Sequence, residues 1–98
     1  MPQTGRYVAN VYLTHTIKKH GIDFETAKYI FDDYYRIEIL DASHSSTEEM
    51  RYITIGRIKE IITVVYTERN DKIRIISART ATKEEKELYY YGSYKEYS

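Results

Sequence analysis

The stretch VVYTERNDKIRIISAR, from Val64 to Arg79, holds two runs of strand-forming residues separated by Asn70-Asp71. Both turn residues tolerate the left-handed backbone that a tight hairpin needs, so the stretch predicts two antiparallel strands, Ile61 to Thr67 and Lys72 to Ala78. A two-residue turn pairs Arg69 with Lys72, Thr67 with Arg74, Val65 with Ile76 and Val64 with Ser77. Side-chain alternation then gives a core face of Ile62, Val64, Tyr66, Ile73 and Ile75, with Arg79 following on that parity. Thr63, Val65, Thr67, Arg74 and Ile76 form a mixed face. Arg74 is therefore expected in an open groove, and Arg79 must turn out of the core edge. At about 3.3 Å per residue, Lys72 to Arg79 spans roughly 23 Å, so Arg69 and Arg79 cannot clasp one anion.

Working outward, Tyr35 to Leu40 and Arg51 to Ile55 read as two further strands, which makes an antiparallel meander of about four, with Ala42 to Glu49 as a polar surface loop. Asp23 is placed as an N-cap, with Ile22 and Ala27 in staple positions, and Phe24, Ala27, Ile30 and Phe31 recur at helical spacing; a helix over 24–32 follows. Residues 6–19 suit either a helix over 9–19 or a strand over Tyr7 to Leu13. The helix is preferred, because Gly21 follows Lys18, Lys19 and His20 as a capping glycine follows a basic last turn. At the other end, Thr82-Lys83-Glu84-Glu85 is a capping box that opens a final helix, and Gly92 is its expected stop. Helices, a meander and a last helix make one α+β domain over residues 1–98.

The 15 basic and 15 acidic residues cancel, yet they are sorted along the chain. Residues 21–50 carry eight acidic against two basic groups, and residues 51–82 carry seven basic against three acidic. Residues 1–20 carry three basic groups and no acidic one, so a polyanion is expected to meet the sheet of the chain's second half and the N-terminal segment. With no cysteine there is neither a disulfide framework nor a thiolate metal site, and no apolar run reaches the length of a membrane span; a cytoplasmic protein is expected.

P-loop, dinucleotide-loop, HExxH and GxSxG patterns are missing, and His15, His20 and His44 lack a zinc spacing, so neither metal nor cofactor is expected. What stands out is lysine and arginine concentrated on a small sheet with tyrosines nearby. Metal-independent RNA cleavage uses that set: the 2′-hydroxyl attacks the adjacent phosphate, and the protein supplies a base, an acid and cations for the developing charge. Arginine grips phosphate with two parallel donors, and tyrosine stacks on unpaired bases.

Several motifs occur in order: Lys19-His20-Gly21 with Phe24-Glu25, Phe31-Asp32-Asp33, His44-Ser45 with Glu48-Glu49 and Arg51, Ile55-Gly56-Arg57, VVYTER to Arg69, and IRIISAR to Arg79. Together they resemble the BrnT family of bacterial toxins. The resemblance implies a RelE-like α+β ribonuclease that cleaves RNA and a cognate ribbon-helix-helix antitoxin that binds and blocks it in a hetero-oligomer. The matching positions carry over as candidate site residues Lys19, His20, Glu68, Arg69, Arg74 and Arg79 without fixing their roles; we expect Arg79, Arg74, Lys19, His20 and Glu68 in catalysis, and Arg69 with Arg51 and Tyr66 in substrate binding. The N-terminus departs from the family pattern, since Val8-Ala9 stands where a tryptophan and an aspartate are usual and Thr16 where an asparagine is. The rival reading is a module that binds an antitoxin or nucleic acid without catalysis.

Overall fold

The computed structural model describes residues 7–9 and 22–95. In chain order these are strand β1 (Tyr7–Ala9), helix α1 (Phe24–Ala27) continued by a 3-10 segment (Lys28–Asp32), strands β2 (Ile37–Leu40), β3 (Met50–Arg57), β4 (Ile61–Arg69) and β5 (Lys72–Thr80), and helix α2 (Lys83–Lys95). The sheet order is β1-β5-β4-β3-β2, with β2 to β5 an antiparallel meander and β1 parallel to β5. The architecture is α+β as expected, and the meander has a fifth, short strand beside it. Ala9, the first residue of the helix expected over 9–19, ends β1 instead; the rest of that segment lies outside the described residues.

Local signals fix most boundaries. The Asp23 carboxylate accepts from the Thr26 amide at 2.8 Å, which satisfies a free donor of the first helical turn and holds the carboxyl below its usual range. That helix is α for only one turn and then tightens, so the segment over 24–32 is helical but of two kinds. Asn70 and Asp71 have φ of 51° and 64°, the pair of positive values that a two-residue hairpin turn demands. The capping box is formed as well: Glu85 N–H donates to Thr82 Oγ1 at 3.2 Å, and Thr82 N–H donates to Glu85 Oε1 at 2.8 Å.

Two side-chain clusters sandwich the sheet. On one face Ile22, Ala27 and Ile30 pack against Ile62, Val64, Tyr66, Ile73, Ile75 and Ala78. On the other, Tyr89 of α2 packs with Ile55, Ile61 and Ala81. Tyr89 also donates to Asp33 Oδ2 at 2.7 Å, an oxygen that accepts from the Arg57 amide at 2.8 Å, so a single carboxylate joins α2, β3 and the loop after the 3-10 segment.

Two expectations need correcting. Gly92 does not stop α2 but lies inside it, and its missing side chain is what lets the helix approach β2, since a Cβ there would collide with Ile37 Cδ1. The pairings of Val65 with Ile76 and of Val64 with Ser77 are also replaced, and Val64 pairs with Ala78. A β-bulge sits in the β4–β5 ladder, so Tyr66 pairs with Ile75 but Val65 pairs with Ser77, and Ile76 is the extra residue. Beyond the bulge the parity of β5 reverses. Arg79 then lies opposite Thr63, on the same face as Arg74, which lies opposite Thr67.

Gly56 marks the closest approach of the 3-10 segment to the sheet, because a Cβ at that position would stand 2.6 Å from Ile30 Cγ1. Gly56→Ala should therefore lower stability by about 1–3 kcal/mol through overpacking. In urea unfolding, Ile30→Ala, which removes that Cγ1, should cost less in the Gly56→Ala chain than in the wild type.

Candidate functional site

The hairpin end of the sheet opens into a cavity of about 260 Å³ lined by Glu49, Thr67, Arg69, Asn70, Lys72 and Arg74. The register builds it: Arg69 pairs with Lys72 next to the turn, Thr67 with Arg74, and Thr67 on its other side with Arg51. Three cations thus line one cavity, with the nearly buried Thr67 at its floor and Arg51 one strand further. Arg69 and Arg74 are exposed, and neither side chain makes a hydrogen bond or ion pair with a described residue. Arg51 is more constrained, with its Nε 3.7 Å from Asp41 Oδ2. Asp41 in turn is held below the usual carboxylate range, first by its hydrogen bond with His44.

On the opposite face lies a groove of about 390 Å³ lined by Phe31, Arg36, Glu38, Tyr52, Tyr66, Glu68 and Ile73. Tyr52 and Tyr66 stack with ring centroids 5.2 Å apart, and Phe31 meets Tyr66 edge-on at 5.1 Å. Burial, reinforced by the Glu38 charge, pushes the Tyr66 phenol up, so it stays protonated near neutral pH. Arg36 is engaged at 3.0 Å with Glu38 and at 3.1 Å with the Phe31 carbonyl.

Arg79 is bound within the fold. Its NH1 and NH2 donate to Glu85 Oε1 and Oε2 at 2.6 and 2.8 Å, a two-bond fork from β5 to the first turn of α2. Glu85 Oε1 also accepts from Thr63 at 2.9 Å. The Arg79 fork, the Thr82 amide and Thr63 together hold the Glu85 carboxyl down at about 2.

The structure therefore brings together Arg69 and Arg74, with Arg51 adjacent. It puts Glu68 and Tyr66 on the other side of the sheet and ties Arg79 to α2. Lys19 and His20 lie outside the described residues. Lys72, Thr67, Asn70 and Glu49 join the cavity without having been singled out as site residues; the predicted turn already set Lys72 opposite Arg69 and Thr67 opposite Arg74. Among the described residues no group of three His, Cys, Asp or Glu side chains could hold a metal ion, and no helix is long and apolar enough to cross a membrane.

Residues 13–85 match the family model of a ribonuclease toxin of type II toxin-antitoxin systems. The chain belongs to that family, BrnT. No curated protein matches the chain. Membership of a toxin-antitoxin family implies an antitoxin partner.

The Glu85 carboxyl, at about 2 in the fold against 4.5 ordinarily, stabilises the protein fully above pH 4.5 and loses that contribution as pH falls towards 2. In urea unfolding at a series of pH values, the stability gap between wild type and Glu85→Gln should be constant above about pH 5 and shrink below it. A gap independent of pH down to the acid limit would contradict this role.

Proposed function

We propose that this protein is a cytoplasmic RNA endonuclease that acts without a metal ion and is neutralised by a ribbon-helix-helix antitoxin in a hetero-oligomer. The RelE-like assignment belongs to the same reading, supported by the α+β order of elements. The observation that carries it is the pair of guanidinium groups, Arg69 and Arg74, that bond to none of the described residues and line one open cavity with Lys72 in a chain of a ribonuclease toxin family.

In this reading Arg74 and Arg69 hold the non-bridging oxygens of the scissile phosphate, and Lys72 adds charge as the pentacovalent state forms. The 2′-hydroxyl oxygen forms the new bond to phosphorus while its proton passes to a base, and the bond to the 5′-oxygen breaks as that oxygen takes up a proton. Glu49 is the carboxylate lining the cavity and takes the role of base. Lys19 and His20 remain candidates for the proton donor on the strength of the resemblance. Arg51 guides the strand beside the reacting phosphate, and Glu68 and Tyr66, in the groove across the sheet, serve RNA outside the reacting position.

Purified protein should cleave single-stranded RNA in the presence of a chelator. Arg74→Ala should slow cleavage by about 10²-fold or more while its circular dichroism stays that of the wild type. Intact RNA after prolonged incubation with folded wild-type protein would contradict the enzyme and leave the non-catalytic module.

A further inference from the structure

We infer that the outer edge of β2 takes up an extended, basic segment of the antitoxin as an added strand. The inference rests on the toxin-antitoxin reading and locates the partner on the fold. β2 is an edge strand, joined to the sheet only through β3. The Asp41 amide donates to the Arg51 carbonyl at 2.8 Å, which fixes the alternation of the ladder. Ile39 and Ile37, two and four residues before Asp41, direct their main-chain groups to Ile53 and Ile55, while those of Glu38 and Leu40 point away from the sheet. No described residue bonds to those outward groups. An N–H and a C=O from each of two residues thus form a row ready for a fifth antiparallel or parallel ladder.

The side chains agree with strand addition. Ile39 and Leu40, on opposite faces of the strand, are 39% and 46% exposed, and an added strand would cover both. Natural edges are commonly shielded by proline or by lysine; β2 has neither. Charge selects the occupant. Residues 32–41 hold Asp32, Asp33, Glu38 and Asp41 against Arg36 alone, so this edge repels RNA and a second copy of itself and attracts a basic segment. β2 stands three strand positions from β5, about 14 Å at the usual spacing, so the added strand anchors the partner without filling the Arg74 cavity.

Leu40→Pro separates backbone from side chain, because it deletes an outward N–H that bonds to no described residue. The cognate antitoxin, titrated calorimetrically, should bind Leu40→Pro at least about 10-fold more weakly than Leu40→Ala, while both variants keep wild-type RNA cleavage. In the wild-type complex, hydrogen exchange of the Glu38 and Leu40 amides should slow by 10-fold or more relative to the free protein. That second measurement needs no variant to fold. Unchanged exchange at both amides, equal affinity of the proline and alanine variants, or a β2-linked dimer that forms without antitoxin would overturn the inference. Failure of the wild type to bind the antitoxin at all would also overturn the toxin-antitoxin reading beneath it.

Discussion

The Glu85 carboxylate is the junction on which the arrangement of the sheet and its last helix depends. It accepts both donors of Arg79 from β5, the Thr63 hydroxyl from β4 and the Thr82 amide that begins α2. Side-chain exposure of 18% for Glu85 and 34% for Arg79 places the pair at the margin of the core, where a two-bond fork keeps its geometry and is only partly screened by solvent. From this junction α2 runs across the sheet until Gly92 meets Ile37 of β2. One end of the helix is held by charge and the other by the absence of a side chain.

This junction also divides the three regularly spaced arginines. Arg79 acts in the architecture, as the clamp of α2. Arg69 and Arg74 stay outside the described hydrogen-bond network and line the cavity at the hairpin end with Lys72. A cation already neutralised at 2.6 Å offers an incoming phosphate less than one whose donors bond to no described residue, since a phosphate would have to displace the carboxylate first. On the proposed reading the chemistry therefore falls at the turn end of the hairpin rather than at its far end.

Features set by neighbours in the chain were legible beforehand. The Asp23 cap, the Asn70-Asp71 turn and the Thr82–Glu85 box each need only a few adjacent residues, and the strands around the turn follow from their β-branched content. The bulge was not legible, because Ile75-Ile76-Ser77 carries no glycine or other local mark of an extra residue, and only the partner strand shows that Ile76 is skipped. That one skipped residue moved Arg79 to the face of Arg74. Gly92 was misread for a related reason: a glycine near a helix end has the same sequence signature whether it stops the helix or admits a neighbour. Of the site, Arg74 and its open face could be read from strand parity near the turn. The Arg79–Glu85 fork could not, since it depends on where α2 lands on the sheet.

The central claim is that Arg74 meets RNA phosphate and Arg79 does not. The most direct measurement is the salt dependence of binding to a 2′-O-methyl RNA, which cannot be cleaved by its own 2′-oxygen. Arg74→Ala should lower the steepness of log K against log salt by about 0.7, the contribution of one phosphate contact on a single strand, and Arg79→Lys should leave it unchanged. An unchanged slope for Arg74→Ala, or a lowered one for Arg79→Lys, would contradict the account.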